Sequence, residues 1–279
     1  VAGFPVLIEP PVLARDASGS FSSRSLTRRT VSRLNLFAHI MGMLPVRTAR
    51  PGHGVRLQLN PERSGTIGCA VAYRTPGPRR NIFLTCRHTL TEGENGPVPA
   101  APDELVILRR NPYRKRRVLG SVSAFKWDDP SARSLDVALI NVGNDIPNVL
   151  YTPRGISRLT KEPIGVDAAL RSRCTVQKVG FKTNYSLGRV MGLFRLRVRS
   201  ADGRSHVYKR VFEIWRDHPA RPFCDRQDSG SVAWTYPTVP GGLAQPVGMI
   251  CATSKGPLLG YAVPMADIVN DLDVEVRID

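Results

Sequence analysis

The chain predicts an all-β protein preceded by an N-terminal arm, on three observations. Short apolar runs rich in β-branched residues recur from about residue 55 onward, each bounded by glycine or proline. With 24 glycines and 23 prolines among 279 residues, the chain has the turn formers that many short strands need. No long helical period recurs in the body of the chain.

Residues 1–54 differ from the rest. They open Val1-Ala2-Gly3-Phe4-Pro5 and continue through a Ser/Arg-rich stretch, Ser18 to Arg29. Such a composition buries too little apolar surface to hold a fold and reads as a linker or extended arm. Ser32 to Leu44 is patterned for one short amphipathic helix. The start shows no basic segment followed by an apolar core and a small-residue cleavage site, so no secretory leader is legible. It also lacks Met, which fits a processed product or a piece of a larger polypeptide. Nowhere does an apolar run reach the ~18 residues of a membrane-spanning helix.

Three segments in the body carry chemistry. In Asn81-Ile82-Phe83-Leu84-Thr85-Cys86-Arg87-His88, a buried strand ends at a histidine. In Ser134-Leu135-Asp136-Val137-Ala138-Leu139-Ile140, a carboxylate immediately precedes an aliphatic strand. A buried acid there is costly unless something specific donates to it. In Asp228-Ser229-Gly230-Ser231, a serine sits in a tight turn just ahead of an apolar strand. An acyl-transfer nucleophile needs that setting, with backbone N–H groups free to face an oxyanion. Each segment has a plainer reading alone: a common turn, a structural histidine, a strand-edge charge. Their order, His…Asp…Ser, makes a triad the better reading of the three together.

The local text resembles the chymotrypsin-like serine proteases, whose triad runs in this order. Thr85-Cys86-Arg87-His88 is similar to the Thr-Ala-Ala-His signature of that family. Leu135-Asp136-Val137-Ala138-Leu139 resembles its Asp-(Ile/Val)-Ala-Leu strand, and Asp228-Ser229-Gly230-Ser231 its Gly-Asp-Ser-Gly-Gly turn. The Gly-Ser ending is closer to the glutamyl-endopeptidase-like and fungal or bacterial trypsin-like branches. Val247 to Cys251 and Gly260 to Met265 resemble the paired strands of the substrate cleft. Val176 to Gly180 with Leu187 to Val190 resembles the hairpin opening the second barrel. The likeness spans roughly residues 60 to 272.

It implies two packed antiparallel β-barrels, residues 55–155 and 156–279, within one protease domain at 55–279. His88 would be the general base, Asp136 would orient it, and Ser229 would attack the peptide carbonyl. The N–H groups of Gln227 and Ser229 would form the oxyanion hole. The primary pocket would be shaped by Phe223, Cys224, Cys251, Ala252, Thr253, Gly260 and Tyr261. None of these places a carboxylate at the pocket base, so cleavage after Arg or Lys is not supported. A small or apolar side chain is the expectation. No cofactor or metal is implied, and a protein or peptide is the implied substrate. Asp228 needs a cation. The arginines are candidates, and the distant Val1 amine is a poorer one.

One departure matters. The family normally has glycine where this chain has Gln227, because that N–H must turn into the hole. A positive φ is easy only for glycine, so the peptide at Gln227 is open to sitting flipped, with a carbonyl in the hole. The alternative is therefore a catalytically impaired module of the same fold that binds a protein or a polyanion. A protease domain of a viral or multidomain polyprotein is a narrower variant.

The five cysteines, Cys69, Cys86, Cys174, Cys224 and Cys251, have an odd count and no regular framework. Free, buried thiols in an intracellular setting are the expectation. The formal charge is +17, with runs such as Arg114-Lys115-Arg116-Arg117 and the alternation Arg195-Leu196-Arg197-Val198-Arg199. Alternation puts those arginines on one face of a strand. Such a surface attracts polyanions, nucleic acid among them. A solvated, arginine-rich surface is the plainer reading, since no nucleic-acid fold or stacking motif accompanies it.

Overall fold

The computed structural model describes residues 48–57, 64–75, 81–90, 105–109, 117–126, 135–142, 146, 148–199, 205–218, 221–254 and 258–278, and short strands at 6–8, 22–23 and 44–45. The helix expected between Ser32 and Leu44 falls almost wholly outside the described residues. The 22–23 and 44–45 strands pair with the strand at Arg117–Lys126, and the 6–8 strand with that at Asn184–Arg199.

The N-terminal sheet is built from β1 (Gly54–Leu57), β2 (Gly65–Thr66), β3 (Ala70–Tyr73), β4 (Ile82–Thr85), β5 (Leu105–Arg109), β6 (Arg117–Lys126) and β7 (Val137–Val142). Its order is β3-β4-β7-β6-β5-β1-β2. After helix α1 (Val166–Ser172) come β8 (Thr175–Gly180), β9 (Asn184–Arg199), β10 (Ser205–Arg216), β11 (Val232–Thr235), β12 (Pro246–Thr253) and β13 (Leu259–Pro264). These six run β9-β8-β11-β12-β13-β10, and β10 pairs back onto β9. Closure leaves this barrel no open edge.

The two expected hairpins are present. β8 and β9 pair antiparallel with Val176 opposite Gly188. β12 and β13 pair with Met249 opposite Val263. Helix α2 (Met265–Asp271) then leads to β14 (Val274–Arg277), which pairs with β3 of the N-terminal sheet, Val276 opposite Val71. This corrects the assignment of residues 274–277 to the second barrel. The alternation in Val274-Glu275-Val276 buries both valines and leaves Glu275 exposed, which suits an edge strand.

The uninterrupted apolar runs have a physical reason. All six residues of β7 are buried. Ala138, Ile140 and Val142 face the N-terminal core with Ile67 and Phe83. Val137 and Leu139 face a second cluster with Leu84, Tyr208, Trp234, Met249 and Tyr261, so that cluster lies between the sheets. A strand covered on both faces cannot alternate with polar residues. Burying each such side chain stabilises the fold by about 1.5–3 kcal/mol before conformational entropy is counted. His88 and Asp136 meet at the seam between the sheets, and the turn that carries Ser229 is hydrogen-bonded across it to Thr66.

Candidate active site

His88 lies in a short turn of 3₁₀ helix, Arg87–Thr89, directly after β4. Asp136 is the residue before β7, the antiparallel neighbour of β4, with Ala138 opposite Thr85. Strand pairing therefore sets the two side by side. The His88 backbone N–H donates to Asp136 Oδ1 at 2.9 Å, and its ring Nδ1 meets Asp136 Oδ2. The Tyr208 hydroxyl, arriving from β10, donates to the same Oδ2 at 2.8 Å. Burial alone pushes the Asp136 carboxyl up. The His88 ring, the His88 N–H and the Tyr208 hydroxyl outweigh burial and hold it down at about 2. An ionised Asp136 accepts only, so the His88 proton sits on Nδ1 and Nε2 is left as the basic atom.

Ser229 is 6% exposed, in the turn between Asp228 and β11. This turn belongs to the barrel yet is bonded across the seam, the Thr66 N–H donating to the Ser229 carbonyl at 2.8 Å. Gly230 has φ +96°, and a Cβ there would lie 2.3 Å from the Thr66 carbonyl and 3.1 Å from the Cys86 nitrogen. Only glycine fits, and its place against Cys86 brings the serine turn onto the histidine-bearing segment. Cys86 Sγ donates to the Ile250 carbonyl at 3.1 Å, a further tie between the sheets.

Among the described residues Asp228 is held by Lys178 and not by an arginine; Val1 lies outside them. Lys178 Nζ is 3.0 Å from Asp228 Oδ2, both side chains being fully buried. Thr183 Oγ1 donates to Oδ2 at 2.5 Å, and the N–H groups of Lys182 and Thr183 donate to Oδ1 at 2.8 and 3.2 Å. Burial opposes ionisation, but the ammonium and these donors keep the Asp228 carboxyl below its ordinary value. Lys178, Thr183 and Tyr208 were not singled out from the sequence. A lone lysine at an inward position of an apolar strand was the available signal for Lys178.

The turn at Gln227 has a definite geometry. The Asp228 N–H donates to the Asp225 carbonyl at 2.8 Å, closing a four-residue β-turn. Neither Arg226 nor Gln227 has a positive φ. Types II, I′ and II′ each need one at a central residue, so this is a type I turn. Relative to type II, its central peptide, Arg226–Gln227, is reversed. Thr66 Oγ1 donates to the carbonyl of the following peptide, that of Gln227, at 2.8 Å and ties the turn to β2.

The residues expected to line the pocket divide between two cores: Phe223 and Cys224 pack inside the barrel, Cys251, Ala252 and Tyr261 in the cluster between the sheets, and Thr253 pairs with Gly260. All five cysteines are free; four are buried as expected, and Cys174 is only part-buried. Cys86, His88 and Asp136 offer ligand atoms within 4.8 Å of one another. Burial pushes the Cys86 thiol well above its ordinary value, however, and its hydrogen bond to Ile250 keeps it protonated. The group is therefore a hydrogen-bonded dyad beside a thiol, a poor ligand set. On β9, Arg195 and Arg197 are exposed while Leu196 and Val198 are buried, as alternation predicts. Among the described residues, no helix is long and apolar enough to cross a membrane.

No family model matches the chain, and no curated protein matches it. Solved structures do. A protease from Nocardiopsis matches with TM-score 0.51 and 13% identity, over 82% of this chain and 99% of that one. Thermobifida fusca protease A matches with TM-score 0.52 and 12% identity, over 83% and 100%. Cellulomonas bogoriensis chymotrypsin matches with TM-score 0.50 and 14% identity, over 83% and 100%. With its closed six-stranded barrel packed on a second sheet, this chain has the chymotrypsin-like fold of these bacterial serine proteases.

Proposed function

We propose that this chain is a serine endopeptidase acting through an acyl-enzyme intermediate. Ser229 Oγ attacks the scissile carbonyl while His88 Nε2 takes its proton. The tetrahedral intermediate collapses, His88 passes that proton to the leaving amine, and the acyl group stays on Ser229. Water, deprotonated by His88, then releases the acid and restores the serine. Asp136 keeps the proton on Nδ1 and stabilises the imidazolium. The carrying observation is the buried Asp136 carboxylate, which accepts from the His88 ring, the His88 N–H and Tyr208. Three donors on one acid, at the seam where the serine turn docks, exceed what a strand-edge charge needs.

Labelling with a small fluorophosphonate, read by intact mass, tests this. One adduct on wild type and none on Ser229→Ala is the expected result. A folded wild type that takes no label contradicts it.

The type I turn at Gln227 favours a second reading, an impaired module that binds a protein or polyanion. In that orientation the Arg226 carbonyl replaces the Gln227 N–H at the oxyanion position. Wild type would then stay unlabelled and Gln227→Gly would take the adduct.

A further inference from the structure

The walls of the expected primary pocket are tied together by their own side chains. Thr253, ending β12, reaches across to both other walls. Its hydroxyl lies 3.0 Å from the Leu259 carbonyl on β13 and 3.5 Å from the Cys224 carbonyl. The Cys224 thiol approaches the same Leu259 carbonyl at 3.5 Å. Behind them, the fully buried Phe223 ring is wedged between two glycines. A Cβ on Gly188 would lie 2.7 Å from one edge of the ring, and one on Gly260 2.9 Å from the other. The Gly260 Cβ would also lie 2.9 Å from Cys224 Sγ, so this wall has no space for even a methyl group. Phe223 has little room to retreat, since Ser186 Oγ donates to its carbonyl at 2.7 Å.

We infer that Thr253 closes the primary pocket and restricts it to substrates with a small uncharged residue, such as glycine, alanine or serine, on the acyl side of the scissile bond. This rests on the endopeptidase reading. A phenylalanine or lysine side chain would have to break both Thr253 contacts and displace a ring already at close-packed density.

The test separates the pocket from the chemistry. Acetylated tetrapeptides that differ only in a C-terminal Ala, Phe, Lys or Glu are titrated into full-length Ser229→Ala, where nothing turns over. The Ala peptide is expected to bind about tenfold more tightly than the other three. Adding Thr253→Gly should raise affinity for the Phe peptide and erase the gap, whereas Thr253→Ser, which keeps the hydroxyl, should preserve it. Phe, Lys or Glu binding as well as Ala overturns the inference, and so does the absence of binding by all four. If Thr253→Gly does not fold, the four-peptide series on Ser229→Ala still decides. Fluorophosphonate labelling of wild type reports separately on the nucleophile. Labelling with a Phe preference sinks the pocket alone, and Ala-selective binding without labelling sinks the hydrolytic reading alone.

Discussion

Lys178 and Asp228 form a fully buried ion pair, Nζ to Oδ2 3.0 Å, directly behind the serine turn. Its cation comes from β8 of the same barrel, so ordering the residue before Ser229 requires no newly freed N-terminus. Removing one partner strands a charge in the interior. Lys178→Met is expected to destabilise the fold by about 3–5 kcal/mol in urea titrations, with part recovered in Lys178→Met/Asp228→Asn. A loss under about 1 kcal/mol in the single variant would show that the pair contributes little.

Acid should unfold the protein partly through Asp136. Its folded value, about 2, lies below the ordinary 3.8. Its stabilisation is therefore fully present above the unfolded value and is lost as pH falls through that window. Asp228, also depressed, acts with the same sign. Asp136→Asn should flatten the acid limb of stability against pH. Equal acid slopes in wild type and variant would contradict the assignment.

Tyr208→Phe removes one donor from the Asp136 carboxylate without changing the shape of the cluster. A stability loss of about 1–3 kcal/mol is expected. The carboxyl should also rise, moving the acid transition to higher pH. A transition that stays in place means the hydroxyl does not support the charge.

Gln227→Gly permits a positive φ at the third position of the turn, and with it the type II form that reverses the Arg226–Gln227 peptide. One oxyanion donor is worth roughly 10²–10³ in rate. Fluorophosphonate labelling should therefore accelerate by a factor of that order. An unchanged rate would mean that wild type already reaches the productive turn.

The thiols offer an inexpensive check on packing. Burial raises Cys86 and Cys251 well above their ordinary value and pushes Cys224 up to about 11. Cys174 is only part-buried. A thiol reagent on native protein should reach Cys174 first and the others only on unfolding. Early modification of Cys86 would contradict the closed seam.

Strand text and chain order were enough to mark His88, Asp136, Ser229 and the two hairpins. Each depends on local pattern: an apolar run with a polar residue at its end, or a glycine turn before a strand. The paired arginines Arg195 and Arg197 were legible for the same reason, since a strand's two-residue period assigns faces without reference to its neighbours. Four other features depend on contacts far apart in sequence. Val274–Arg277 pairs with β3, nearly the whole chain away. Lys178 meets Asp228 within the barrel, and Tyr208 meets Asp136 across the seam between the sheets. Thr253 bridges walls from three segments. Local pattern records which face a residue prefers, whereas partner choice for a buried charge or hydroxyl follows from which surfaces the folded sheets bring within hydrogen-bond reach. So the candidate nucleophile, base and acid were written in the sequence, while the cation behind the serine, the turn type at Gln227 and the contacts of Thr253 were decided only by tertiary structure.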